Sequence, residues 1–183
     1  MHALVLGSTP AGEGDRRVCL LSAEYGVLWA RAKSVREERS KLRYSLVDYT
    51  QTYVSLVQGK YGWRITGAVY EADIPGLPAR AVFARLARLV QRLTLPHADG
   101  AERVYAPLIA AHRALAQGEV PADEIEMLTA LRVLFALGYV APRGEYARVL
   151  QDDACDADTT ALVGGRRSLV LADINKALAE SQL

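Results

Sequence analysis

"YGWRITGAVYEADIPGLPARAVFARLARL", residues 61–89, contains a change of hydrophobic period that predicts the architecture of the chain. Its first half is rich in aromatic and β-branched residues, which are typical of a strand. Pro75 and Pro78 then mark a short linker. Beyond the linker, apolar residues recur with the period of one helical face, at Val82, Leu86, Leu89 and Leu93. The stretch therefore predicts a β-domain followed by an α-helical domain.

Five segments up to the linker have the composition of strands and are separated by turns that contain Gly, Pro, Ser or Asp. They are residues 2–7, 16–23, 26–35, 49–57 and 61–72. Five strands in so short a segment are typical of a small closed barrel, because closure removes the exposed sheet edges. The oligonucleotide/oligosaccharide-binding (OB) barrel has this strand count. We therefore expect an α+β chain, with an OB-fold barrel over residues 1–74 and an α-helical domain over residues 79–183.

Four segments after the linker have helical period or strong helix signals: residues 80–94, 101–118, 121–139 and 171–183. Gly118 is expected to end the second of these helices, and Pro107 to begin or kink it. Asp173 lies near the expected start of the last helix. Residues 142–170 predict loops around one short helix.

The composition is that of a globular protein rather than of a disordered chain, since half of the residues are hydrophobic. The N-terminal apolar run is too short for a signal peptide, and Arg132 interrupts the longest apolar stretch. We therefore expect a cytoplasmic protein that does not contact a membrane. Cys19 and Cys155, the two cysteines of the chain, are expected to be reduced thiols.

Basic residues are concentrated in the first half, although the net charge is only +1. Residues 104–183 hold seven basic and eleven acidic residues, whereas residues 31–43 hold six basic and two acidic ones. A nucleic-acid backbone is contacted at several phosphates, so this cluster is a candidate for binding a polyanion. A solvated loop that keeps the protein soluble is the alternative.

The third strand adds an aromatic ring to this basic cluster. Because side chains alternate, Trp29, Arg31 and Lys33 are expected on the outer face of the barrel. On the fifth strand, Arg64 and Tyr70 are expected to share a face, with Trp63 on the opposite one. Rings that stack on bases, beside cations that contact phosphates, are what single-strand binding requires. The alternative is that Trp29 packs under a loop and that the cations are merely solvated.

The first predicted helix carries Arg85, Arg88 and Arg92 along one side. One interpretation is a solvated face opposite the Leu seam. The other is an anion path or a contact for an acidic partner.

No catalytic or cofactor motif is recognisable. "GSTPAGEG", residues 7–14, lacks the Gly-Lys-Ser/Thr ending of a P-loop, and the three histidines are far apart in the sequence. The acidic run at residues 152–158 lacks the Gly and the terminal Glu of a calcium-binding loop. We therefore expect neither an enzyme nor a bound cofactor or metal.

Three stretches, in this order, follow one known pattern. "GEGDRRVCLLSAEYG" (residues 12–26) places Gly-Glu before a polar pair, a hydrophobic strand and a Glu-x-Gly turn. "AKSVREERSKLRYSLVDY" (residues 32–49) is a basic stretch with Ser34 where the pattern usually has Gly. "EIEMLTALRVLFALGYVAP" (residues 124–142) contains a helix that ends in Leu-Gly-Tyr and is followed by Pro142. Over roughly residues 3–142 the chain thus resembles the RecO family of bacterial recombination mediators.

The resemblance implies an OB-fold domain that binds single- and double-stranded DNA without strong sequence preference. It also implies annealing of strands coated by single-strand-binding protein (SSB), and cooperation with RecR to load RecA in recombinational repair. The DNA contacts that it implies by position are Arg16, Arg17, Lys33, Arg36, Arg39, Lys41 and Arg43. Trp29, Arg31 and Arg64 are added by the strand argument alone.

The sequence differs from the family pattern in three respects. It is shorter than typical members, and only Cys155 follows the Leu-Gly-Tyr helix where many relatives have a four-cysteine zinc module. Asp123 and Glu124 precede that helix, where some relatives have basic residues near the docking site of the acidic SSB tail. We interpret the chain as a short variant without the zinc module, with RecR as an expected partner and the SSB tail as a candidate one. The alternative is a protein-interaction adaptor that has lost DNA binding.

Overall fold

A computed structural model describes residues 1–37, 40–94, 101–142 and 147–181, with the side chains of residues 101 and 102 excepted. The chain divides into two compact units. The first contains residues 1–73, and the second contains residues 74–94 and the chain from residue 103 onward.

The first unit is a closed β-barrel. Its strands are β1 (His2–Pro10), β2 (Arg16–Ser22), β3 (Gly26–Ala32), β4 (Gln51–Gly59) and β5 (Gly62–Ala72). They are hydrogen-bonded in the order β1-β2-β3-β5-β4, and β4 pairs with β1 to close the barrel. β3 and β5 are parallel, and the other pairs are antiparallel. The predicted α+β class with an N-terminal OB-fold barrel is confirmed.

Apolar side chains of alternate strand residues fill the barrel. The core includes Val5, Val18, Leu20, Leu28, Ala30, Ala32, Val54 and Ile65. Val35 and Leu46, from the long connection between β3 and β4, are also buried in this core. The same connection contains α1 (Leu42–Ser45), a single helical turn. The basic connection is therefore held against the barrel by its own apolar residues.

A β-bulge changes which residues of β5 share a face. Arg64 pairs with Val57 and Tyr70 pairs with Thr52, while Thr66 is an extra residue between the pairs. Val57 and Thr52 are five residues apart on a regular strand, so they point to opposite faces. The prediction that Arg64 and Tyr70 share a face is therefore wrong, because one bulged residue inverts the alternation.

The second unit is helical. Its helices are α2 (Leu77–Leu93), α3 (Tyr105–Gln117), α4 (Ala122–Ala136), α5 (Ala147–Gln151), α6 (Ala157–Gly164) and α7 (Arg167–Glu180), and a 3₁₀ turn, Ala101–Val104, precedes α3. α4 packs against α2, α3, α6 and α7. Its buried residues lie on all sides, as is typical of a central helix. Among the described residues, no helix is long and apolar enough to cross a membrane.

The helices near the C-terminal end depart from expectation in two ways. The described part of residues 142–170 contains two short helices instead of one, and the last helix begins at Arg167, so Asp173 lies inside it. The start of α6 is fixed by a capping box, in which Asp156 accepts from the Thr159 backbone N–H at 2.9 Å. Gly118 ends α3 as predicted, with φ of +71°. Pro107 is the third residue of α3, where its missing N–H has no helical partner to lose.

The core stripe of α2 is rotated from the predicted seam. Val82, Phe83, Leu86, Ala87 and Val90 are its buried residues. Leu89 and Leu93 are only partly buried, so they lie at the edge of the stripe.

Candidate nucleic-acid interface

Three arginines lie side by side across the barrel. Arg17 of β2 is the cross-strand partner of Arg31 of β3, and Arg31 is in turn the partner of Arg64 of β5. Neighbouring strands are about 4.8 Å apart, so the three residues form one transverse row. All three are exposed, and we call them the arginine row.

The barrel core determines which way this row faces. Val18, Ala32 and Ile65 follow the three arginines in sequence, and each is buried in the core. Because side chains alternate along a strand, the arginines point outward. The alternation that places apolar side chains inside the barrel thus also directs the three arginines outward.

An aromatic cavity adjoins the row. It measures about 600 Å³ and is lined by Ala11, Arg17, Trp29, Ala30, Arg31, Tyr61, Gly62 and Trp63. The guanidinium carbon of Arg17 lies 5.4 Å from the centroid of the Trp29 ring, which is a cation–π distance. Tyr61, in the turn between β4 and β5, is 94% exposed. The row and the cavity share two arginines and form one surface.

Asp15 partly neutralises the centre of the row. Its Oδ2 accepts from Nε of Arg31 at 2.7 Å, and its Oδ1 accepts from the backbone N–H of Ser34 at 2.8 Å. The Ser34 hydrogen bond, followed by the one from Arg31, holds the pKa of Asp15 below its ordinary value. Within the described part of the chain, Arg31 is the only predicted DNA-contact residue that forms an ion pair.

The basic turn after β3 lies beside Asp15. The Arg36 backbone N–H donates to the Gly14 carbonyl at 3.0 Å, which joins this turn to the one between β1 and β2. Lys33 and Arg36 are both exposed. β3 ends at Ala32, so the prediction that Lys33 extends the strand face is wrong.

Ser34, in the turn after β3, has an unusual backbone conformation. It has φ of +49°, in the left-handed region that favours glycine. The RecO pattern usually has Gly at this position. The chain has serine there, in the backbone conformation that favours Gly.

The remaining predicted contacts are not members of the arginine row. Arg16 pairs with the buried Ala32 and alternates with Arg17, so it points away from the row. Lys41 and Arg43 are exposed on either side of Leu42, which packs against the barrel core. Arg39 lies outside the described residues.

The arginines of α2 have different neighbours. Arg85 makes a bidentate pair with Glu126, with both N···O distances at 2.6 Å, and this hydrogen bonding raises the pKa of Arg85. Arg88 donates from Nε to the Ala84 carbonyl at 3.3 Å, and Arg92 is exposed. Together with two leucines they line a groove of about 400 Å³, formed by Arg85, Arg88, Leu89, Arg92 and Leu178. We call it the α2 groove.

Both thiols are free, with Cys19 buried and Cys155 partly buried. Burial raises the pKa of Cys19 to about 12 and that of Cys155 to about 11, so both are protonated at neutral pH. No group of three His, Cys, Asp or Glu side chains suited to a metal ion occurs among the residues that the structure describes.

Sequence reasoning missed Tyr61, Lys60 and Asp15. The ammonium of Lys60 lies 5.5 Å from the centroid of the Tyr61 ring. An aromatic residue inside the Gly-rich turn "QGKYG" was the available signal, since such a ring has little to pack against. Asp15 had no comparable signal, because its contact with Arg31 depends on how two turns meet.

Comparison with known proteins shows which family the chain resembles. The family model described as "Recombination protein O N terminal" matches residues 1–65, which lie within the barrel unit. The chain is 35% identical, over 142 residues, to the DNA repair protein RecO of Heliobacterium modesticaldum, a match that covers 75% of this chain and 50% of that protein. It is 38% identical, over 67 residues, to the DNA repair protein RecO of Dehalococcoides mccartyi, which covers 37% of this chain and 26% of that protein. The chain thus spans at most about half the length of these relatives. Its barrel is a RecO N-terminal domain, and the chain is similar to RecO proteins over 142 residues.

Proposed function

We propose that the chain binds DNA on the outer face of its barrel and acts in recombinational DNA repair as a mediator without catalytic activity. The arginine row carries this proposal. Three cations at one level of three adjacent strands suit consecutive phosphates of a strand that crosses the barrel. Lys33 and Arg36 extend the positive surface beyond Arg31.

The proposed activity is annealing of complementary strands. Annealing requires that the phosphate charges of two strands be neutralised while their base edges stay free, and it requires no bond to be broken. Contacts to phosphates carry no direct sequence information, so binding to single and double strands has little sequence preference.

Protein partners form the second part of the proposal. RecR, with which the chain would load RecA, is proposed from the similarity to RecO proteins alone. The α2 groove supports docking of the acidic SSB tail, because it combines exposed cations with the apolar side chains of Leu89 and Leu178. Arg85 already donates two hydrogen bonds to the Glu126 carboxylate. Arg88 and Arg92 are therefore the cations that a peptide carboxylate would contact.

The second candidate is an adaptor that has kept the two units and lost DNA binding. The ion pair between Asp15 and Arg31 favours it, since it lowers the charge at the centre of the row. An adaptor would retain RecR or SSB in a pull-down and would leave an oligonucleotide unbound.

The test is fluorescence anisotropy of a labelled oligonucleotide at increasing salt, together with a strand-annealing assay. The double variant Arg17→Glu/Arg64→Glu is compared with Arg113→Glu/Arg148→Glu, a pair of exposed arginines in the helical unit. We expect tight binding at low salt and loss of binding and annealing in the first variant only. Equal behaviour of the two variants, or no binding by the wild type, would overturn the proposal.

A further inference from the structure

The aromatic cavity has a lining that phosphate binding does not require. Trp29, Tyr61 and Trp63 contribute three rings, and the first and last are the only two tryptophans in the sequence. A volume of about 600 Å³ is in the usual range for sites that hold small molecules. Such a lining suits a flat, aromatic ligand that is attached to an anion.

We propose that this cavity holds one unpaired nucleobase of a strand whose phosphates contact the arginine row, and that the barrel therefore prefers single strands to duplexes. The inference rests on the proposed function, because it specifies which form of DNA the same face would favour.

Tyr61 is the residue that argues most strongly for a stacking platform. A tyrosine that is 94% exposed in a hairpin turn contributes little to the barrel core. The ammonium of Lys60 near its ring leaves most of that ring open to solvent. Bases stack on such rings with little sequence preference, since every base has a π-face.

The cations are placed to bind the phosphate beside that base. Arg17 and Arg31 belong both to the row and to the cavity lining, so a base in the cavity has its own phosphate within the row. Arg17 also lies over Trp29, which fixes the position of a guanidinium next to an aromatic wall. Backbone and base sites are therefore contiguous.

Placing a base of a duplex in this cavity costs more free energy than placing a base of a single strand. Its bases are paired and stacked, so one of them would first have to be extruded from the helix. The arginine row remains open to duplex phosphates, which gives a duplex the charge contacts without the stacking contact. The predicted result is weaker binding of duplex DNA, not its absence.

Tryptophan fluorescence tests the cavity directly, because both tryptophans line it. We expect a single-stranded oligonucleotide to quench this fluorescence, since stacked bases quench indole emission. An oligomer of the same length with abasic sites should bind about 5- to 150-fold more weakly and leave the emission unchanged. Equal affinity and equal emission with both oligomers would overturn the inference.

Variants of Tyr61 give the second readout. We expect Tyr61→Ala to lower single-strand affinity about 5- to 150-fold with duplex affinity unchanged, and Tyr61→Phe to keep wild-type affinity. Tyr70→Ala is the matched control, because Tyr70 is a half-exposed tyrosine on the opposite face of β5. Wild-type single-strand affinity in Tyr61→Ala would overturn the inference.

Duplex and abasic binding by the wild type separate this inference from the proposed function. If neither these ligands nor the normal oligonucleotide binds at low salt, the proposed function itself fails. If both bind as tightly as the normal oligonucleotide without quenching, only the base site fails.

Discussion

The barrel and the helical unit each carry three arginines on one surface, yet the two surfaces suit different ligands. The arginine row adjoins three aromatic rings, whereas the arginines of α2 border a groove with Leu89 and Leu178. Each set also has one member paired to a carboxylate, Arg31 with Asp15 and Arg85 with Glu126. The two sets of arginines thus have the same number of members and the same number of carboxylate partners.

The difference lies in what accompanies the charge. Rings beside cations favour bases and phosphates, while aliphatic side chains beside cations favour an acidic peptide with an apolar residue. A count of basic residues along the sequence cannot separate these cases. The neighbours that the fold supplies to each arginine decide between them.

The largest expected effect comes from matched charge reversal in the two units. Arg17, Arg36 and Arg64 are changed to Glu in one variant, and Arg85, Arg88 and Arg92 in the other, so both lose the same net charge. We expect about 100-fold weaker single-strand binding in the barrel variant, because three phosphate contacts become repulsions. The α2 variant should stay within about threefold of the wild type, since its arginines are not members of the arginine row. Anisotropy at physiological ionic strength measures both, because at low salt a change of net charge anywhere on the chain would alter the affinity. Equal losses would mean that binding depends only on net charge.

Changes in the α2 groove should affect binding of an acidic peptide and not binding of DNA. Arg88→Glu/Arg92→Glu should weaken binding of an acidic peptide with an apolar C-terminal residue by about tenfold, because rim charges would repel its carboxylates. DNA affinity should not change. Isothermal titration calorimetry with the peptide measures the effect, and Lys176→Glu, an exposed change on α7, is the control. Unchanged peptide affinity in the double variant would remove the groove as the docking site.

A single change in the row has a smaller, characteristic effect. Arg64→Ala should weaken single-strand binding several-fold and lower the slope of log K against log salt by about 0.7, the value for one contact to a single strand. Arg113→Ala should leave the slope unchanged. The observation that would count against the row is a loss of affinity at all salt concentrations with no change of slope.

The smallest expected effect concerns Asp15. Asp15→Asn should raise DNA affinity about threefold, because Arg31 would lose its carboxylate while Asn keeps an acceptor for the Ser34 N–H. Glu13→Gln removes the same charge from an exposed site nearby and is the control. Anisotropy compares the two, and an equal rise in both variants would show that Arg31 is not the cause.

The pH dependence of this effect follows from the pKa of Asp15. That pKa is lowered from 3.8, so the carboxylate stays ionised above that pH, and its bonds are lost only as pH falls through the lower folded value. The affinity ratio of Asp15→Asn to wild type should therefore be constant between pH 5 and pH 8. A ratio that falls toward 1 by pH 5 would contradict the assigned ion pair.

Local patterns were sufficient to predict the barrel, because alternation and turn residues act within a few positions. The same alternation correctly placed Trp29 and Arg31 on the outer face. It failed at Tyr70, since a bulge at Thr66 depends on pairing with β4 and leaves no mark in composition. The contact between Asp15 and Arg31 was likewise hidden, because it joins two turns that only the closed barrel brings together.

The helical unit shows the same limit. The capping box of Asp156 and Thr159 was present in the sequence, but the acidic run around it resembled a loop. The central position of α4 was not predictable from its period, since apolar residues on all sides give no single face.

Photo-crosslinking tests the central claim most directly. An oligonucleotide that contains 5-iodouracil is irradiated with the chain, and the crosslinked peptides are identified by mass spectrometry. Binding on the barrel predicts crosslinks at Trp29, Tyr61 or Trp63, which line the aromatic cavity. Crosslinks confined to the peptide that contains Arg85, Arg88 and Arg92 would contradict the account.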